Sequence, residues 1–132
     1  MDTLLTLKGY VGTDVEVNTG DGWCFARFRL ACTPRFRRYD KWVDGTTTWL
    51  SVRCANRLAQ NVRDSIHKGD PVIVIGRLRT QTWEADGQTQ SRVVVEASAV
   101  GHDLGRGTTT FTKNEVVVEA ESTDDDAVAA VG

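Results

Sequence analysis

A chain of 132 residues, 40% hydrophobic and 26% charged, has the make-up of one ordinary globular domain and is long enough to fold around a core without a metal or disulfide staple. No apolar run approaches the ~20 residues of a membrane-spanning helix, and Met1 opens no signal peptide, so a cytoplasmic protein is expected. The formal net charge of −2 hides a division: residues 1–113 hold all 16 Lys and Arg against 12 acids (+4), whereas residues 114–132 hold six acids and no cation (−6).

The first segment, TLLTLKGYVG followed by DVEVN, alternates apolar and polar residues and predicts a long strand bent or interrupted at Gly9 and Gly12. After the turn NTGDG, residues 23–33 alternate more cleanly. Cys24, Ala26, Phe28, Leu30 and Cys32 are expected to face a core, with Trp23, Phe25, Arg27 and Arg29 on the opposite face. The stretch TPRFRRYDKWVDGTTTW reads as a loop in which Arg35, Arg37, Arg38 and Lys41 interleave with Phe36, Tyr39, Trp42 and Trp49, against only Asp40 and Asp44. Residues 47–54 return to strand alternation, with Leu50, Val52 and Cys54 inward and Trp49, Ser51 and Arg53 outward.

The period then changes. Leu58, Val62 and Ile66 recur every four residues with Ala59 beside them, which predicts a short helix capped by Asn56 and stopped by Gly69. A strand resumes at PVIVIGRLRTQTW, placing Arg77, Arg79, Gln81 and Trp83 on one face, and Asp86-Gly87 is a hairpin signal leading into SRVVVEASAV. Strand order β, β, β, α, β, β predicts an all-β domain with one short helix: the OB-fold, a five-stranded, partly open Greek-key barrel with its helix between strands 3 and 4. An SH3-like barrel and an α+β sandwich fit the same order. Residues TTTFTKNEVVVE are read as one further strand, and the last ten residues as disordered.

Three strands thus put aromatics and arginines on the face that does not build the core. Unstacked bases offer flat π faces, each stack being worth ~1–3 kcal/mol, and phosphates need cations beside them. That mixture predicts a surface for single-stranded nucleic acid; a duplex reader needs a helix or ribbon carrying base-edge donors. Trp49 and Trp83 are read as stacking residues, and Trp23 and Phe25 as packing or subunit contacts. No nucleotide-cradling, nucleophile-elbow or zinc-protease motif occurs, so no catalysis and no cofactor are expected. The three cysteines show no metal-ligand spacing. Cys24 and Cys32 lie about 27 Å apart on one extended strand, too far to bridge within a subunit. A disulfide between subunits through Cys24, Cys32 or Cys54 is the alternative to reduced, buried thiols.

LKGYVGTDVEV, FARFRLACTPR, and above all KGDPVIVIGRLRTQTW resemble the bacterial single-stranded DNA-binding protein (SSB) family over about residues 3–103. The Arg-rich loop after TPR and the β-prone segment beyond residue 103 resemble the actinobacterial branch, and the short tail its second paralogue. The resemblance implies a homotetramer that wraps single-stranded DNA in the nucleoid. By the same resemblance Trp49, Trp83 and Phe36 stack bases, with Tyr39 and Trp42 as further aromatics. Arg35, Arg37, Arg38, Lys41, Arg53, Arg77 and Arg79 are expected to meet phosphates. The family's phenylalanine shortly after Trp49 falls near Ala55 and Asn56, where this chain has none. The expected division is 1–104 for the DNA-binding domain, 105–119 for an extra strand clamping subunits, and 120–132 for a short acidic tail. The family's partner-docking tip is acidic with an aromatic end, and STDDDAVAAVG lacks that end, so the resemblance implies weak or absent recruitment of replication and repair proteins. A primosome-type OB protein and an OB-fold protein–protein adaptor are the competing readings.

Overall fold

The computed structural model describes residues 3–115, with Arg35 and Phe36 given as backbone positions. The acidic tail expected at 120–132 and the last residues of the expected clamp, 116–119, lie outside the described residues. The elements in chain order are β1 (Thr3–Val11), β2 (Glu16–Gly20), β3 (Trp23–Cys32), β4 (Arg35–Arg38), β5 (Lys41–Asp44), β6 (Thr48–Ala55), α1 (Asn56–Ser65), β7 (Pro71–Ala85) and β8 (Gln88–His102).

The long first strand is interrupted from Gly12, as its glycines imply, and becomes β1 and β2. β1, β7, β8, β6 and β3 pair in that order, and β3 then returns to β1 through Tyr10↔Ala31 and Val11↔Leu30, so the sheet closes on itself. The closure is partial. Two residue pairs join β1 to β3, and three parallel pairs join β6 to β8, while β7 and β8 run together almost from end to end. The result is the expected mostly-β OB-type arrangement, with α1 between β6 and β7.

Alternation on β3 and β6 works as the sequence implies. Cys24, Ala26, Phe28, Leu30, Val52 and Cys54 are buried, and they meet Val72, Val74 and Val95 from the β7–β8 hairpin. Ala59, Val62 and Ile66 bring α1 onto the same core. Fully burying an aromatic or branched side chain contributes roughly 1.5–3 kcal/mol, so this single cluster is the principal source of stability.

Three local features differ from the sequence reading. The Arg-rich stretch is a hairpin, β4 paired with β5, and not an irregular loop. Tyr39 and Asp40 at its tip take φ of 52° and 64°, a two-residue turn of the handedness hairpins favour. Its root is tied by the Gly45 N–H donating to the Pro34 carbonyl at 2.6 Å and by the Thr33 and Thr47 hydroxyls, also 2.6 Å apart. At the helix, the N-cap is Ala55 with no side-chain hydrogen bond, and Asn56 is the first helical residue. Gly69 does not stop α1, which ends at Ser65. Asp70 Oδ2 accepts the His67 N–H at 2.9 Å and draws the chain into a turn first; Gly69, at φ 94°, then donates its N–H to Val11 O. Finally, residues 105–115 form no strand. They run past α1, where the Asn114 and Asn61 amides exchange two hydrogen bonds of 2.9 Å.

Asp70 joins three parts of this arrangement, since its Oδ2 also meets His102 Nε2 at 3.0 Å, at the end of β8. Burial raises its pKa, but the His67 N–H and the His102 ring outweigh burial and hold the carboxyl below its ordinary value. A depressed folded pKa means stability present above the unfolded value of about 3.9 and lost as pH falls through the lower folded one. Asp70→Asn is therefore expected to unfold at lower urea concentration than the parent at pH 7. The gap should close as the pH is taken below about 3.9; a gap independent of pH would remove the carboxylate from this role.

Candidate nucleic-acid interface

Because strands alternate their faces, every residue whose neighbours build the core is turned outward. The register lines these residues up in rows across the sheet. One row crosses five strands: Arg77 on β7, Glu96 on β8, Arg53 on β6, Arg27 on β3 and Glu16 on β2. Glu96 meets Arg53 at 3.6 Å and Arg79 at 3.5 Å, and Glu16 meets Arg27 at 3.0 Å. Further along the same face, Gln81 stands opposite Arg92 and Trp83 opposite Gln90, and Ala31 opposite Trp49.

The aromatics on this face are held in place. Trp49 packs edge-on against Gly12, where a β-carbon would overlap Cζ3 of the indole, and the Arg29 guanidinium lies 5.7 Å from its ring centre. Trp83 has the Arg92 guanidinium at 5.6 Å. Phe25 carries Arg53 at 4.0 Å on its ring and Trp23 at 5.6 Å, tilted by 38°. Trp23, Trp49 and Trp83 nevertheless each remain 44–49% exposed. An indole fixed by its surroundings with nearly half its surface open can receive a flat ligand without first losing side-chain freedom.

Among the sequence-predicted residues, Trp49, Arg53, Arg77, Arg79 and Trp83 share this outer face. Arg35, Phe36, Arg37, Arg38, Tyr39, Lys41 and Trp42 belong to the β4–β5 hairpin, which forms a separate two-stranded sheet. Tyr39 is 93% exposed, Trp42 64%, and Arg37 pairs with Asp40 at 3.5 Å. Three participants escape the sequence reading. Arg92 is one, although counting back in pairs from the Asp86-Gly87 turn places it beside Trp83. Glu96, which reaches Arg53 on β6 as well as Arg79 on its own hairpin, and Gly12, which seats Trp49, depend on contacts between distant segments and had no local signal.

A profile of the single-strand binding protein family matches residues 3–103. The chain belongs to this family. It is 40% identical to single-stranded DNA-binding protein 2 of Streptomyces avermitilis over 83% of its length and 71% of the relative's. With single-stranded DNA-binding protein 1 of Streptomyces coelicolor the identity is 43%, over 83% of this chain and 72% of the relative. A crystal structure of a small single-stranded DNA-binding protein from Streptomyces coelicolor superposes with a TM-score of 0.71 at 36% identity, over 81% of this chain and 99% of the other.

In this member of the single-strand binding family, Ala55 occupies the place where the resemblance leads one to look for an aromatic. It pairs directly with Phe25 on β3, so a ring does stand beside that place, borne by the neighbouring strand. The thiols are also sorted by the fold. Cys24 and Cys54 are buried in the core, and Cys32, at the end of β3, is half-buried. Burial pushes the Cys54 thiol up to about 12 and raises that of Cys32 as well, which keeps both protonated and weakly nucleophilic near neutrality. Iodoacetamide at pH 8 is expected to label Cys32 first and slowly, with Cys24 and Cys54 reacting only after denaturation. Mass spectrometry of the alkylated peptides checks this, and early labelling of Cys54 would contradict its place in the core.

Proposed function

We propose that the protein coats single-stranded DNA without reading its sequence, protecting exposed strands in replication, recombination, repair or a more specialised chromosomal process, and that it resides with the nucleoid. The observation that carries this reading is the pair of half-exposed tryptophans, Trp49 and Trp83, on one outer sheet face, each with an arginine alongside at 5.7 and 5.6 Å. The relatives' names, single-stranded DNA-binding proteins, support it.

In this reading bases stack on Trp49 and Trp83, and on Phe36, Tyr39 and Trp42 of the β4–β5 hairpin. Phosphates meet Arg35, Arg37, Arg38, Lys41, Arg53, Arg77 and Arg79. Several of these cations already face carboxylates, as Arg53 and Arg79 face Glu96. Such surface pairs are worth only about 0–1 kcal/mol, so a phosphate can take the carboxylate's place at little cost. The reading includes no reaction and no cofactor. It also includes a homotetramer, supported by the outer side of β1, β7 and β8. There Ile75, 37% exposed, stands opposite Ala99, and Ile73 opposite Gly101, while Leu4, 60% exposed, lies further along β1 opposite Arg77.

Titrating oligo(dT) into the protein is expected to quench tryptophan emission, more tightly at low salt than at high salt as counterions are released. Trp83→Ala should lose about 1–3 kcal/mol of binding with the fold intact by circular dichroism. A folded protein showing no quenching, or binding indifferent to both salt and Trp83, would favour a peptide-binding adaptor. For the assembly, Ile75→Asp is expected to lower the mass found by analytical ultracentrifugation below that of a tetramer, and a parent that sediments as a monomer would count against it.

A further inference from the structure

The sequence assigns Trp23 and Phe25 to packing or a subunit contact, yet their surroundings are those of a ligand site. Residues of β2, β3, β6, β7 and β8 enclose a groove of about 710 Å³ whose walls include Trp23, Phe25, Arg27, Arg53, Gln81 and Arg92. That volume lies within the ~300–1,000 Å³ range of pockets for small-molecule-sized groups. At one end of the groove, a β-carbon on Gly20 would overlap Cε2, Nε1 and Cζ2 of Trp23 about equally. The glycine backbone therefore lies against the rim of the indole at Cε2. Phe25 steadies the ring from the side at 5.6 Å, and Trp23 is still 45% exposed. At the other end stands Arg92, whose guanidinium is also the one beside Trp83.

We propose that Trp23, seated on Gly20, is a further nucleobase-stacking platform, and that the groove between it and Arg92 carries single-stranded DNA onward from Trp83. This rests on the DNA-coating function proposed above and adds a subsite to it. Charge favours this occupant over a second copy of the chain. Arg27, Arg53 and Arg92 line the groove with Glu16 as the one acid. In a two-fold contact this cationic patch would meet itself, whereas a phosphate backbone is complementary to it. Glu16 is engaged by Arg27 at 3.0 Å and leaves the aromatic end uncontested. The subsite is distinct from that of Trp49, because Trp49 is level with Ala31 on β3 and Trp23 lies eight residues away along that strand, or about 27 Å.

Photo-crosslinking to oligo(dT) carrying 5-bromodeoxyuridine, done on the unaltered protein, tests this directly, with adducts located by mass spectrometry. Affinity and sedimentation of Trp23→Ala and Trp23→Phe are measured alongside. We expect an adduct on Trp23, a roughly five- to 150-fold loss of affinity in Trp23→Ala, the equivalent of one base stack, and partial recovery in Trp23→Phe. A protein that binds oligo(dT) and depends on Trp83, yet shows no adduct on Trp23 and full affinity in Trp23→Ala, would overturn the subsite alone. A Trp23→Ala variant that changes its sedimentation while its assembled form keeps full affinity would identify a subunit contact and also overturn it. Failure of the unaltered protein to bind oligo(dT) would overturn the DNA-coating function and the subsite together.

Discussion

The β3–β6 ladder sets Arg27 directly opposite Arg53, and like charges facing each other across strands are destabilising. The neighbouring strands resolve this. Glu16 on β2 and Glu96 on β8 flank the two arginines, so each member of the repulsive pair has a carboxylate on its other side. The same register fixes what lies on both sides of the sheet. Sliding β3 by one residue would turn Phe28 and Leu30 outward and Arg27 and Arg29 into the core, so burial of the apolar set holds the charged set in place. The outer face can thus stay strongly basic without unravelling the strands that carry it.

Two kinds of aromatic are set into this charged surface. Trp23 rests on Gly20, the last residue of β2, and Trp49 on Gly12, where the long first strand breaks. The absent side chains are what allow backbone to approach the indoles so closely. Tyr39 and Trp42 instead ride on a hairpin of their own and are far more exposed. The first kind is held by its surroundings and loses little freedom on contact with a flat partner; the second offers more open ring surface.

Much of this was legible in the sequence. Period-two alternation on residues 23–33 and 47–54 identifies the core face, the four-residue recurrence of Leu58, Val62 and Ile66 identifies α1, and Asp86-Gly87 marks the longest hairpin. The hairpin at Tyr39-Asp40 was not legible, because Asp tolerates positive φ but Tyr rarely takes it, and the pair lacks the glycine of the usual two-residue turns. Its conformation is held by the β4–β5 ladder and by the Thr33–Thr47 and Pro34–Gly45 contacts at its root. The end of α1 was misplaced at Gly69 for a related reason: Asp70, further along, captures the His67 N–H before the glycine is reached.

By itself, then, the chain's order of residues determined which side chains are apolar partners and which are aromatic or cationic neighbours, since those patterns depend on periods of two and about four residues within single segments. Only the tertiary structure decided that Glu96 stands between Arg53 and Arg79, that Arg92 attends Trp83, that Phe25 stands beside Ala55, and that Gly12 and Gly20 each receive an indole. Except for Arg92, which the β7–β8 hairpin brings diagonally beside Trp83, these depend on the register between strands brought together by folding or on the close approach of a glycine backbone to a ring. Register is set by the simultaneous burial of Phe28, Leu30, Val52, Val74 and Val95, a condition on the whole sheet that no single segment contains.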